Sequence, residues 1–297
     1  MLFERQRLLL SLLDAAGAAV SHTDFQELLF LYTREREATP SYEFVPYEFG
    51  GFSFTSYADK RKLIEVGLLA NDDQVWRLTD AGRAAVRDRP TWPLQVAEFC
   101  RRHDGLRGNA LIAEAYRRHP YYATHSGILD KLPLEPEALE RIAAARPVCQ
   151  PAGLLTIGYE GLSLEAYLNE LLLAGVTRLF DVRRNPLSRK YGFSKGTLGK
   201  ACDGVRIHYV HIPELGIASE NRRGLETQAD YDALFETYEK EQLPLCGDAV
   251  AEIARFVAAG ERVALTCYER KPEQCHRHCV AEALEHRFGR TYAPQHL

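Results

Sequence analysis

No stretch of the chain approaches the roughly 20 consecutive apolar residues that a membrane-spanning helix needs, so no membrane partner is expected. The opening run MLFERQRLLLSLLDAAGAAV is apolar in places, but Glu4, Arg5, Arg7 and Asp14 interrupt it. It reads as an amphipathic helix rather than a secretion signal. A disulfide framework is also missing: the seven cysteines are an odd number, and Cys267, Cys275 and Cys279 crowd near the C-terminus. That pattern points to a reducing, cytoplasmic setting. Charge of one sign is missing too. The net charge of −4 carries no global nucleic-acid signature, so any anion site must be local. What is present, 46% hydrophobic and 26% charged residues over 297 positions, excludes wholesale disorder and gives length enough for two domains.

Residues 1–90 suggest a winged-helix-like α+β domain. Leu8, Leu9, Leu12 and Leu13 recur at helical spacing up to Gly17, and Phe25, Leu28, Leu29 and Tyr32 repeat the pattern. SYADKRKLIEVG reads as a third helix closed by Gly67. Leu68 to Leu78 reads as a hairpin with Asn71, Asp72 and Asp73 at its turn, and TDAGRAAVRD as a further helix started by Thr79. The third helix carries Lys60, Arg61 and Lys62 against Asp59 and Glu65, a mild basic excess that leaves protein binding and DNA binding both open. Residues 91–150, punctuated by Pro90, Pro93 and Pro120, read as a helical connector.

From residue 151 onward strands alternate with helices. LLTIGY, RLFDVR, IHYVHIP and VALTCYE are strands. Ser163 caps the first intervening helix and Gly175 ends it. Helices follow around 230–241 and 247–258, and a last one runs from about Glu273 to Phe288. This order predicts an α/β domain: a three-layer, mostly parallel sheet with flanking helices.

In such sheets ligands bind beyond the carboxyl ends of the strands, and ionisable residues sit there. Tyr159 and Glu160 follow the first strand; Asp181, Arg183 and Arg184 end the second. His211 ends the third, with Glu214 beyond, and Cys267, Tyr268 and Glu269 end the fourth. Arg178, Arg183, Arg184, Arg189, Lys190, Lys195, Lys200 and Arg206 face only Asp181 and Asp203 in the same span. A run this basic in a net-acidic chain suggests a phosphate-bearing partner. The last helix opens near Cys275, His276 and Arg277, where free amides and the helix dipole favour an anion by roughly 0.3–1 kcal/mol and lower a thiol pKa. Arg277 reads as a surface-cleft residue whose loss weakens anion binding without unfolding.

A metal reading competes, since Cys267, Cys275, His276, His278 and Cys279 lie close in sequence. Against it, paired C-x-x-C spacings are absent, and Cys279 shares an apolar stripe with Val280, Ala283 and Leu284. No metal or other cofactor is therefore expected. No glycine-rich cradle follows Cys267, which argues against a phosphatase or rhodanese loop. His208 reads as a strand residue without a role.

TIGYEG (156–161), DVRRNPLSRKYGFSK (181–195), YVHIPELG (209–216) and LTCYERKPEQCHRH (265–278) together resemble the domain-of-unknown-function family 488, over about residues 154–290. The segment YEFVPYEFGGFSFTSYADKRKLIEVGLL is similar to the winged-helix region of Panacea-type antitoxin-related proteins. The family resemblance points to Tyr159, Asp181, Arg183, Ser188, His211, Glu269, Cys275, His276 and Arg277. Arg184, His278 and Cys279 are additions to its pattern.

These readings converge on an enzyme acting on a nucleic acid or nucleotide. His211, Glu269, Cys275 and His276 would supply the chemistry. Tyr159, Asp181, Arg183, Arg184, Ser188 and Arg277 would bind substrate. A hydrolytic or glycosidic step suits such groups. Two alternatives stand beside it: a non-catalytic regulator that binds DNA or a protein partner and senses a small anion, and a metal-binding protein using Tyr159 and the cysteines.

Overall fold

The computed structural model describes residues 2–222 and 224–297. The chain divides between Arg146 and Pro147 into two compact units.

The N-terminal unit begins with α1 (Glu4–Ala15), β1 (Ala19–Ser21) and α2 (His22–Arg36), followed by the hairpin β2 (Val45–Tyr47) and β3 (Gly50–Phe52). Then come α3 (Phe54–Glu65), β4 (Val75–Arg77) and α4 (Asp80–Asp88). Side chains of Ser21, Ser53 and Thr79 cap α2, α3 and α4 by accepting from the amides of Asp24, Ser56 and Gly82, each such cap being worth about 1 kcal/mol. Strand β1 pairs antiparallel with β4, Val20 opposite Trp76. On its other side β4 closes the expected hairpin, through the Leu69–Leu78 bridge and the amide of Ala70 on the carbonyl of Arg77. Asp72 holds that turn by accepting from the amides of Gln74 and Val75 at 2.9 and 3.0 Å.

Of residues 91–150, expected as a connector, those up to Arg146 belong to this unit. In α5 (Pro93–Arg102) and α6 (Asn109–Arg118), Val96, Phe99, Leu111 and Ala115 join Leu8, Leu12, Phe25 and Trp76 in one core. A smaller cluster, Ile112, Tyr116, Leu132 and Ile142, seats α7 (Pro136–Ala144). Of the prolines that suggested a linker, Pro93 opens α5 and Pro120 opens the 3-10 turn Pro120–Ala123, first-turn positions where a missing amide costs nothing.

The C-terminal unit runs β5 (Gly153–Gly158), α8 (Leu164–Leu173), β6 (Arg178–Asp181), α9 (Lys195–Gly204), β7 (His208–His211) and α10 (Gln228–Thr237). It continues through α11 (Gly247–Ala258), β8 (Arg262–Cys267), α12 (Arg277–Phe288) and β9 (Gln295–His296). Among the described residues the strands form a five-stranded sheet in the order β7-β6-β8-β5-β9, and every pairing is parallel. Leu154, Phe180, Val263 and Leu265 pack on one face against Val250, Ile253 and Val257 of α11 and Val280 and Leu284 of α12. Leu155, Ile157, Leu179 and Ala264 alternate with them, are equally buried, and face the opposite way. Right-handed crossovers place α8 and α9 on that second face.

Because β6 leads into α9 on one face and β8 into α12 on the other, neighbouring connections part at the carboxyl ends of β6, β8 and β5. A crevice opens at such a switch point. The register sets Asp181 opposite Thr266 and His211, and Gly158 opposite Cys267, so the ionisable strand ends share one edge.

Candidate functional site

The segment after β8 folds back over the end of β5. Glu160 donates its amide to the Tyr268 carbonyl at 2.9 Å and accepts the Arg270 amide on its carboxylate at 3.0 Å. Gly158 makes this approach possible, since a Cβ there would stand 1.8 Å from the carbonyl oxygen of Glu269. Arg277 pins the same loop from below, donating to the carbonyls of Glu269 at 2.5 Å and Arg270 at 2.9 Å, with Thr156 Oγ1 at 3.4 Å. Its side chain is wholly buried. The expectation of a surface-cleft arginine holding an anion is therefore corrected: Arg277 is a structural clamp, and the sheet's own Thr156 is part of its seat.

The last helix also starts later than its periodicity suggested. Pro272–Gln274 form a separate turn, Cys275 is extended, and α12 begins at Arg277 with His276 as its N-cap. The Cys275 amide donates to Pro272 at 2.9 Å, so it does not face the cleft as a free donor.

This turn brings three buried groups together. Cys267, Cys275 and His276 are each at most 1% exposed. Their Sγ, Sγ and imidazole nitrogen lie within 4.8 Å of one another. His276 places Nε2 2.9 Å from the Val182 carbonyl and Nδ1 3.7 Å from Cys267 Sγ. Glu269 Oε2 stands 3.5 Å from the same sulfur, and Arg222, from the turn Ser219–Arg222, is ion-paired with Glu269. Burial opposes ionisation of Cys267, but a hydrogen bond from the Cys275 thiol, the His276 ring and the charge of Arg222 outweigh it and hold Cys267 well below the usual thiol range. Cys275 moves the other way, pushed well up by burial and by the hydrogen bond and charge of Cys267. Burial lowers His276, yet the Cys267 charge and hydrogen bond carry it above its ordinary value. Burial and Cys267 raise Glu269.

Cys267 forms one wall of a cleft of about 260 Å³ that Tyr159, Arg183, Arg184, Ser188, Arg189 and Arg222 help to line. The expected binding residues divide here. Arg184 and Arg189 are exposed along the cleft. Arg183 lines it but is committed to Asp181, with Nε–Oδ1 at 2.8 Å and Nη2–Oδ2 at 2.5 Å, and its Nη1 donates to Tyr159 Oη at 2.8 Å. Tyr209 fills the remaining valence of Asp181 at 2.6 Å. Asp181 and Arg183 thus brace the strand ends and do not offer a free charge. Tyr159 stacks on Phe193 at 4.2 Å and supplies an aromatic wall. Ser188 accepts the Lys190 amide at 3.1 Å, shaping the basic loop. His211 lies on the same edge but sits between the Arg183 carbonyl at 2.9 Å and Lys195 Nζ at 3.2 Å, and it is not among the residues lining the cleft.

Cys267, Arg189 and Arg222 were missing from the expected site. Cys267 had a readable signal, since it ends a strand as Asp181 and His211 do. Arg222 had none, because its position depends on how residues 212–227 loop back to the edge. Away from this cleft, Glu239, His278 and Cys279 bring three donor atoms within 4.8 Å of one another, so His278 and Cys279 do not join the Cys267 cluster. Residues 163–284 match the family model described as "Domain of unknown function DUF488". No curated protein matches the chain.

Proposed function

With the C-terminal unit carrying a DUF488 domain as premise, we propose that it is a thiol-dependent enzyme whose substrate is a nucleotide or nucleic acid. Cys267 is the nucleophile. His276 exchanges its proton, and the exposed Arg184 and Arg189 hold the phosphate. The observation that carries this reading is the pairing of Cys267, a buried residue beside the cleft, with His276: its Sγ stands 3.7 Å from a ring nitrogen whose partner nitrogen is fixed on a backbone carbonyl. Fixing one nitrogen aims the other, which is how a base is oriented toward a thiol or hydroxyl. The two exposed arginines explain why the substrate would be anionic: guanidinium forks match phosphate oxygens. Glu269, raised toward neutrality and in reach of the sulfur, is suited to protonate a leaving group. A hydrolytic or glycosidic displacement fits this set, the thiolate attacking an electrophilic carbon or phosphorus and water releasing the product.

The test is a panel of nucleotides and short oligonucleotides. Binding should weaken as salt rises, as phosphate contacts require, and Cys267→Ser should abolish turnover while retaining binding. Binding without turnover in the unmodified protein would favour a regulator instead.

The N-terminal unit, helix–helix–helix followed by a hairpin, supports a winged-helix-like reading. Its third helix spends Lys60 internally, on His22 at 3.0 Å and the Asp72 carbonyl at 3.1 Å. That favours a protein partner over DNA. A reducing, cytoplasmic setting agrees with seven free cysteines.

A second reading has one specific observation behind it. Two thiols and an imidazole with its far nitrogen on a carbonyl also describe three ligands of a zinc site and the outer partner that orients a ligating histidine. Metal analysis of the purified protein separates the two: stoichiometric zinc would make Cys267 a ligand rather than a nucleophile.

A further inference from the structure

A second cavity lies in the N-terminal unit, far in sequence from the thiol site and made of different chemistry. It measures about 100 Å³ and is lined by His22, Gln26, Glu27, Tyr47, Phe52 and Tyr57, with Gly50 and Gly51 at its edge. Three of these side chains are aromatic and nearly parallel. Tyr47 stacks on Phe52 at 4.7 Å and 24°, and Phe52 on Tyr57 at 5.0 Å and 26°. Glu27 is 1% exposed. Its carboxyl accepts the Gly51 amide, and Oε2 has no hydrogen-bond partner.

A buried carboxyl oxygen without a partner is costly, and burying the group charged is far more so. The ionisable groups acting on or around it are Asp24 on its own helix and Tyr116 on α6, neither of which is a cation. His22 does not balance it either, since burial and then Lys60 lower its pKa. The hairpin is shaped around this acid: a Cβ at Gly50 would stand 1.7 Å from Glu27 Oε1, and Gly50 sits at a φ of +130° that side chains disfavour. So the chain keeps an acid in an apolar shell and leaves an aromatic-walled space beside it.

We propose that this cavity binds the ammonium group of a small organic amine, with Glu27 as its counter-ion and the rings of Tyr47, Phe52 and Tyr57 among its lining. Aromatic faces attract cations through their quadrupole, and a carboxylate in a dry site binds a cation by a charge-assisted hydrogen bond. Size sets the class. A cavity of ~150 Å³ accommodates benzene, with six heavy atoms, so this one takes roughly four. n-Propylammonium has that size, and 1-propanol is its neutral counterpart.

Both ligands are titrated into the full-length protein, followed by backbone amide NMR, with sodium chloride as the ionic-strength control. n-Propylammonium should shift the Gly50 and Gly51 amides and bind about tenfold or more tightly than 1-propanol, the difference a charge-assisted contact makes. Glu27→Gln keeps an acceptor for the Gly51 amide and should abolish that preference. Equal binding of the two ligands, no shift at any attainable amine concentration, or a preference that survives in folded Glu27→Gln would each overturn the proposal. The comparison of the two ligands on the unaltered protein decides the matter even if the variant does not fold.

Discussion

Arg277→Ala should destabilise the C-terminal unit strongly, although the residue is an arginine at the start of a helix. Its guanidinium ties α12 to the carbonyls of Glu269 and Arg270, and it is completely buried. Truncation strands two acceptors, each costing about 1–3 kcal/mol when left unsatisfied, and opens a cavity where a long side chain stood. Water reaches the Arg270 side of the loop, since that residue is exposed, so the lower half of the range applies there. The net is about 3–5 kcal/mol, or roughly a 6–20 °C fall in Tm for a unit of this size. Arg277→Lys should recover part of the loss, because an ammonium reaches one carbonyl but cannot fork to two. Urea denaturation followed by circular dichroism measures both. A loss below about 1 kcal/mol for the alanine variant would refute the clamp and return Arg277 to an ordinary surface role.

Asp181→Ala should cost about 3–5 kcal/mol by leaving Arg183 charged, buried and unpaired, read by the same denaturation; a neutral outcome would mean that Arg183 swings out to solvent. Arg222→Gln should move the Cys267 thiol upward, since it removes one of the groups that lower it, and an unchanged thiolate titration would exclude that coupling. Glu27 is held well above the usual carboxyl range by burial, the Gly51 amide pulling weakly the other way and Asp24 adding to the rise. Its contribution is therefore fully present below about pH 4.3 and is lost as pH rises through the folded pKa. Glu27→Gln lacks that loss, so its stability relative to the parent should improve from acid toward neutral pH. A difference that does not vary with pH would contradict the assignment.

Much of this was legible in the sequence because it rests on local signals. Ser163 and Thr79 cap the helices they were expected to cap, and Gly67 and Gly175, at φ of +75° and +71°, end the helices before them. The four expected strands form β5 to β8, because apolar runs bounded by polar strand ends leave little ambiguity. Helix α9 escaped notice because Gly196, Gly199 and Gly204 depress its propensity, while burial of Leu198 and Ala201 holds it. Strand β9 has two residues and no pattern to read. Charge misled where the fold buries it. Arg183, Arg277 and Lys60 counted toward basic surfaces, yet each is at most 5% exposed and satisfied within its own unit. The meeting of Cys267 with His276 depends on a loop that doubles back over β5, a tertiary event that spacing alone does not encode.

The proposed chemistry needs a Cys267 thiol that ionises more readily than an ordinary one, with His276 beside it. Thiolate ultraviolet absorbance against pH, on chelator-treated protein with Cys267→Ser as the subtracted reference, tests it most directly. The Cys267 thiolate should form well below the ordinary thiol pKa of about 8.5 and be absent from the variant. A Cys267 absorbance that appears only at or above that value would contradict it.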